Sequence, residues 1–401
     1  MEALLKLCED KNLKVAIVAD WLVVVAGSER VLSSLIKCFP KADLFAVIDF
    51  LSPEDRKKIL GDRPVKTTFI QKLPFAKKKY QTYFPLMPLA IEQLDMTGYD
   101  VIISSSHAVA KGVITGPDQV HVSYVHSPMR YAWDFQGQYL RDSGLTSGLK
   151  SWVARYLLHK MRAWDVQTSH GVDYFLSNSD FVGRRILKCY RREAQTIYPG
   201  VDLSEFSLIT EKEDFYVTAS RMVPYKKMDL IVETFSTYFP DKKLVVIGDG
   251  SDFEKIKRLA GPNVSLVGRQ DQASLVGYLQ RAKAFVFAAE EDFGLLPVEA
   301  QACGTPVIAY GKGGACETIW GLGGDNPPSG LFFGEQTPRK LKEAIEFFEQ
   351  NSEIFKPESC RQNAERFGVT NFQSRVESFF LTLLKAHHAI RLKGPLEPHR
   401  I

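Results

Sequence analysis

The densest run of chemistry-bearing residues lies late in the chain, at Ala288-Ala-Glu-Glu-Asp-Phe-Gly-Leu-Leu-Pro-Val-Glu-Ala-Gln-Ala-Cys-Gly-Thr-Pro306. A strand ending near Ala289 passes into a loop that carries Glu291 and Gly294. A helix is expected to open at about Leu296–Pro297, because proline is tolerated in a first turn, and to stop at Gly304. Gly294 lets backbone N–H groups come close to a ligand, and the helix N-terminus carries partial positive charge. Together they make a phosphate seat. Glu291 and Glu299 can face one cleft and grip the hydroxyl-bearing parts of one ligand. A solvated loop glutamate and a capping glutamate are the plainer reading of the same pair.

A second run is Ala219-Ser-Arg-Met-Val-Pro-Tyr-Lys-Lys227. Arg221 and Lys226 stand five apart across a proline turn, a spacing that suits a diphosphate: the guanidinium as a planar fork, the ammonium as a point charge. Ordinary surface charge is the alternative. Ile247-Gly-Asp-Gly250 and Val267-Gly-Arg269 are weaker signals of the same kind, and plain turn chemistry would explain either alone. Their force lies in the set, since four consecutive strands deliver glycine or charge at one edge. In the first half, Gly27 and Ser28 could seat an anion where a helix opens, or Ser28 could be a simple N-cap. Tyr124-Val-His126-Ser-Pro-Met-Arg130-Tyr-Ala-Trp133 concentrates a histidine, an arginine and aromatics in a loop, although a lone histidine is more often structural. Lys72, Lys77, Lys78 and Lys79 are interleaved with Phe69, Phe75, Tyr80, Tyr83 and Phe84. From Arg63 to Leu94 there are six basic residues and one acid, Glu92. Such a stretch suits an anionic membrane surface. A solvated charged face with buried aromatics is the plainer reading. No nucleic-acid-binding motif accompanies it.

These residues need strand ends to stand on. In the first half, apolar β-rich runs are expected at Lys14–Asp20, Leu44–Asp49, Val101–Ser106, Val120–His126, Tyr174–Ser177 and Thr196–Tyr198. In the second half they are expected at Phe215–Ala219, Lys243–Ile247, Val264–Val267, Ala284–Ala288 and Pro306–Ala309. Helical stretches separate them. Near-continuous apolar strands joined by helices indicate α/β architecture with parallel sheets covered on both faces. Ligands then bind beyond the carboxyl ends of the strands.

A chain of 401 residues exceeds one ordinary core, and 45% hydrophobic with 24% charged residues excludes a disordered or fibrous class. The longest apolar run, Val15–Ala26, is broken by Asp20, so no membrane span is expected. Glu9, Asp10 and Lys11 argue against a secretory signal. Six cysteines without zinc spacing read as free thiols of a reducing cytosol. Residues 1–200 hold 27 Lys+Arg and 20 Asp+Glu, a balance of +7; residues 201–401 hold 24 and 27, a balance of −3; together they give the chain's +4. The expected domains are 1–203 and 204–368, both doubly wound, then a helical segment 369–401 that crosses back to the first.

The combination resembles the retaining glycosyltransferases of family four, which have the GT-B fold of two Rossmann-like domains facing across a cleft. The carrying motifs are Glu291-x7-Glu299 with its internal Phe-Gly-Leu-x-Pro, Ser220-Arg-Met-Val-Pro-Tyr-Lys226, Ser177-Asn-Ser179 and Tyr198-Pro-Gly-Val-Asp202. The block His126–Trp133 is similar to the branch containing O-antigen and exopolysaccharide mannosyltransferases. The resemblance implies that Arg221 and Lys226 hold the donor diphosphate and that Glu299 binds the ribose. Glu291 and the backbone of Phe293, Gly294 and Leu295 would contact the sugar and phosphate. His126 would reach the sugar from the other lobe, with Gly27 at the phosphate or acceptor edge and the base near Gly248–Gly250 and Val267–Arg269. Lys72, Lys77, Lys78, Lys79, Tyr80 and Arg130 form the expected acceptor or membrane face. The implied donor is a nucleotide sugar, GDP-mannose before UDP-sugars, and the acceptor a lipid-linked glycan or polysaccharide. No cofactor or metal is expected, because no Asp-x-Asp stands at a strand end. A GT-B-like epimerase, a phosphorylase and a non-catalytic sugar-nucleotide-binding protein are the competing readings. The family loop usually reads Gly-Gly-Ala-Glu, and Ala26 in its first position would be strained if φ there were positive.

Overall fold

Strand residues in this chain alternate between two covered faces, so both faces need helices. In β1 (Val15–Leu22), Val15, Ile17 and Ala19 enter a core with Leu35, Leu176, Phe372 and Phe380. Ala16 and Val18 enter the opposite one, with Met87, Ile91, Ile102 and Met161. A strand buried on both faces is apolar throughout, and this is why these runs show no polar alternation. The computed structural model describes residues 2–391. The chain divides into two units. One comprises the chain up to Ser177, Arg185–Gly200 and the chain from Thr370; the other comprises Asn178–Arg184 and Val201–Val369.

Among the described residues the first unit holds seven parallel strands: β1, β2 (Asp43–Asp49), β3 (Val65–Thr67), β4 (Val101–Ser106), β5 (Val120–Val125), β6 (Tyr174–Ser177) and β7 (Ala194–Thr196), in the order β3-β2-β1-β4-β5-β6-β7. The second holds six: β8 (Phe215–Ala219), β9 (Lys243–Ile247), β10 (Val264–Gly268), β11 (Ala284–Phe287), β12 (Val307–Tyr310) and β13 (Gly330–Phe333), in the order β10-β9-β8-β11-β12-β13. Both sheets are doubly wound and Rossmann-like, as expected.

Some strand ends differ from expectation by one or two residues, as in β1, which ends at Leu22 rather than Asp20, and three strands differ further. β3 and β13 were not anticipated, and β7 lies two residues before the expected Thr196–Tyr198. β3 and β7 are edge strands with a solvated central residue, Lys66 or Gln195, so neither reads as an apolar run. β13 follows a Gly- and Pro-rich stretch that hides it.

The units change at Val201 and Val369, against expected limits of 203 and 368. Asn178–Arg184 groups with the second unit, whereas 1–203 had been expected to be continuous. The physical reason is local bonding: Ser179 Oγ donates to the Asp292 carbonyl, and the Asp180 and Phe181 amides donate to the Glu317 carboxylate at 2.7 Å each. The helix Val369–Arg391 buries Phe372, Val376, Phe380, Leu383 and Leu384 in the core of the first unit, with Phe380 edge-on to Phe39 at 4.9 Å. The part of the expected segment beyond 391 lies outside the described residues.

Candidate functional site

In a doubly wound sheet the connections on either side of the order reversal leave on opposite faces and open a crevice at the carboxyl edge. In the second unit the reversal lies between β8 and β11. The loops that follow these two strands are Ser220–Lys227 and Ala288–Gly294, the two richest sequence signals.

Lys226 closes a tight turn, Pro224–Lys226, and its Nζ forms an ion pair with Glu291 Oε1. The two side chains are only 14% and 20% exposed, which makes this pair less screened than a surface one. Tyr225 touches two cations of its loop: its hydroxyl accepts from Arg221 Nη2 at 2.9 Å, and its ring lies 5.4 Å from Lys226 Nζ. The side chain of Arg221 is exposed.

The helix Leu295–Ala302 has Gly294 as its N-cap and starts one residue before the expected Leu296–Pro297. Gly294 has φ +88°, a conformation that costs other residues strain, and no side chain caps the helix. Its first amides are thus left for solvent or a ligand. Glu299 is buried in the second turn. The loop before this helix is fixed from the side. Glu291 bridges to Gly313, the Gly314 amide donates to the Glu291 carbonyl at 2.8 Å, and Lys312 pairs with Glu290 at 3.1 Å. Phe293 is buried edge-on to Phe367.

Gly248 and Gly250 admit a close approach of backbone within the fold itself. A Cβ on Gly248 would sit 1.8 Å from the Ser220 carbonyl oxygen, and one on Gly250 would sit 2.4 Å from that of Met222. The close neighbour these glycines admit is the Arg221 loop. Ser220 N donates to Ile247 O and Met222 N to Asp249 O, at 3.0 and 2.8 Å. Gly248 N reaches Gly268 O at 2.9 Å, so the loops after β8, β9 and β10 are joined. Val267 is half-buried and Arg269 exposed beside them.

The first unit reverses order between β1 and β4. Asp20 stands near the end of β1, fully buried. Its carboxylate accepts four successive amides after β4, those of His107, Ala108, Val109 and Ala110, at 2.5–3.0 Å. His107 Nδ1 lies 2.9 Å from the same carboxylate. Burial alone would push the Asp20 carboxyl up. The His107 charge and these hydrogen bonds outweigh it and hold the carboxyl down at about 2. Conversely, burial pushes His107 down, but Asp20 and then Glu29 bring it above the usual imidazole range. Asp20, Trp21, Ser28, Glu29, Ser105 and His107 line one small cavity. His126 is buried, with Nε2 2.8 Å from Ser105 Oγ and its ring 5.3 Å from that of Tyr124.

Sequence reasoning missed Asp20, His107, Gly313, Gly314 and Glu317. One acid inside an apolar run was the available signal for Asp20, and the Gly-Gly pair after β12 was that for the turn. Ala26 has φ −134°, ordinary extended backbone, so the strain anticipated there does not arise. Ala26 is also the N-cap. Gly27 is the first helical residue and Ser28 the second, so Ser28 is not the cap. In place of a capping hydroxyl, the Glu29 carboxylate accepts the Ala26 amide at 2.9 Å.

Lys72, Lys77, Lys78 and Lys79 are exposed beside Phe75, which is 77% exposed, while Tyr80 packs on Trp21 at 5.8 Å between ring centres. Arg130 lies over the Phe135 ring at 5.3 Å. The six cysteines are free thiols, and burial pushes those of Cys38, Cys303 and Cys360 up to about 12. Among the described residues no His/Cys/Asp/Glu cluster of three or more could hold a metal ion, and no helix is long and apolar enough to cross a membrane. A cavity of about 370 Å³ lined by Thr210, Lys212, Lys283, Pro306 and Phe355 opens beside the amino ends of β8, β11 and β12. That is the wrong edge for a ligand site in such a sheet.

Two family models match in succession: Glycosyltransferase Family 4 over residues 25–205 and Glycosyl transferases group 1 over 202–367. A GDP-mannose-dependent monoacylated alpha-(1-6)-phosphatidylinositol monomannoside mannosyltransferase of Corynebacterium glutamicum is 32% identical over 140 residues, 31% of this chain and 35% of that protein. The chain spans about one third to two thirds of the length of the curated relatives it matches. Among solved structures, Anabaena HepE in complex with UDP and glucose superposes with a TM-score of 0.65 at 16% identity, covering 92% of this chain and 99% of that one. Sucrose-phosphate synthase from Thermosynechococcus elongatus gives 0.67 at 17% identity, covering 92% and 100%. Fold and family models together place the chain among the family-4 glycosyltransferases of GT-B type.

Proposed function

We propose that the chain transfers a hexose from a nucleoside-diphosphate sugar to a hydroxyl of a lipid-linked glycan or polysaccharide, with retention of anomeric configuration. The observation that carries this reading is the meeting of Lys226 and Glu291 at the reversal of the second sheet, beside the uncapped helix at Gly294. Departure of the nucleoside diphosphate builds charge on its β-phosphate. Arg221, Lys226 and the helix N-terminus are placed to stabilise that charge, which is usually the largest catalytic contribution. Because these groups supply the positive charge, the reading needs no metal ion. In the free protein Glu291 neutralises Lys226; a bound diphosphate takes over that role and releases Glu291 to the sugar hydroxyls. Glu299 receives the ribose, and Gly248–Gly250 with Val267–Arg269 border the base. His126 and Gly27 serve the sugar and acceptor side, with proton transfer from the acceptor hydroxyl to the leaving phosphate.

GDP-mannose is the favoured donor, supported by the name of the corynebacterial relative, and the UDP of the HepE complex makes UDP-sugars the alternative. The exposed lysines at 72 and 77–79 would meet an anionic lipid surface on the cytosolic side. A panel of GDP-, UDP- and ADP-sugars, read by nucleoside diphosphate release, tests the reading. Arg221→Ala and Lys226→Ala should each lower turnover about 100-fold, whereas the fold persists. Full activity in both variants would remove the site assignment. Release of sugar 1-phosphate from a glycan and inorganic phosphate would make the protein a phosphorylase.

A further inference from the structure

A second surface of the first unit remains unexplained. The helix Gly148–Ser169 is anchored by its C-terminal half. There Met161, Asp165 and Ser169 are buried, Lys111 Nζ pairs with Asp165 at 2.6 Å, and Trp133 Nε1 donates to Asp165 at 2.8 Å. In its N-terminal half Ser151 is buried, but four apolar side chains face outward. Leu149, Trp152, Val153 and Tyr156 are 78%, 65%, 43% and 48% exposed. Their spacing of i, i+3, i+4 and i+7 puts all four on one face. The Trp152 and Tyr156 rings stack at 5.8 Å and 6°, and Lys160 Nζ lies 5.5 Å over Tyr156. Single exposed apolar residues are normal, but a contiguous stripe marks a binding surface.

We propose that this stripe inserts into the interface of an anionic lipid bilayer. Charge names the occupant: from Ser143 to Trp164 the chain carries Lys150, Arg155, Lys160 and Arg162 and no Asp or Glu. Lys150, Arg155 and Lys160 are exposed. Trp and Tyr suit the headgroup level because one end of each ring is apolar and the other polar, and the basic residues meet lipid phosphates. A second copy of the same face would bring these cations against their own kind. The stripe shares no residue with the lysines at 77–79, and the inference does not rest on the glycosyltransferase reading.

The test uses the full chain with phosphatidylcholine vesicles, with and without phosphatidylglycerol. It should sediment with the anionic vesicles alone. Brominated lipid should quench its tryptophan emission, and W152F should lose that quenching. The variant L149S/W152S/V153S/Y156S should bind at least about tenfold more weakly with its circular dichroism unchanged. Should that variant fail to fold, K150E/R155E/K160E should lose the same binding. Equal binding by folded variants overturns the proposal, as does loss of binding confined to K77E/K78E/K79E. A wild-type dimer that L149S/W152S/V153S/Y156S converts to monomer would assign the stripe to a second copy instead.

Discussion

At the scale of single residues, the most consequential group outside the loops after β8 and β11 is Asp20. One buried carboxylate satisfies four backbone amides and faces His107, so its removal leaves donors and a cation unpaired. Asp20→Asn should destabilise the first unit by about 3 kcal/mol, measured by urea unfolding. The pH dependence follows from the direction of each shift. The folded Asp20 carboxyl is held at about 2, below its ordinary value, so its contribution is present above the ordinary carboxylate range. It is lost as pH falls from about 4 towards 2. The His107 shift is upward, so its contribution is present below the ordinary imidazole value and fades as pH rises through the folded one. Asp20→Asn should flatten the acid limb of a stability–pH curve, and an unchanged limb would contradict the assignment. Lys226 and Glu291 were both legible as chemistry-bearing types at strand ends, but their pairing was not, because 65 residues separate them in the chain.

At the scale of elements, the site is a set of loops held together by backbone contacts. Gly248 illustrates the constraint, since its φ is +139° and a Cβ would strike the Ser220 carbonyl. Gly248→Ala should cost about 3 kcal/mol and displace the Arg221 loop, seen as loss of turnover beyond the loss of stability. Gly277→Ala is the contrast. It lies within the helix Gln272–Arg281 with nothing inside 4 Å of a Cβ, and should stabilise by about 0.5–1 kcal/mol. The central strand Phe215–Ala219, buried throughout, was readable to the residue. Edge strands β3 and β7 were not, because solvent on one side lets polar residues in.

At the scale of the whole molecule, each unit repeats one plan: a parallel sheet whose order reverses beside its first strand. In the proposed reaction the nucleotide binds to the second unit. Hydrogen exchange with GDP or UDP should therefore show new protection in 220–227 and 288–296, and little in the amides of 107–110, which Asp20 already holds. Protection centred on the first unit would reverse the assignment. The charge balance of +7 against −3 fits a proposed donor site that attracts locally, through Arg221 and Lys226, since these lie in the more acidic half.

The sequence by itself determined the two doubly wound units, the strand ends that matter and the residue types at them. Periodicity, glycine and proline are local signals, and the family motifs are contiguous. Only tertiary structure decided that Lys226 meets Glu291, that Gly248 and Gly250 make room for a neighbouring loop, that Asn178–Arg184 groups with the second unit, and that Trp152 and Leu149 face outward. Each of these depends on which distant segments the sheet order brings side by side, and no spacing along the chain encodes that.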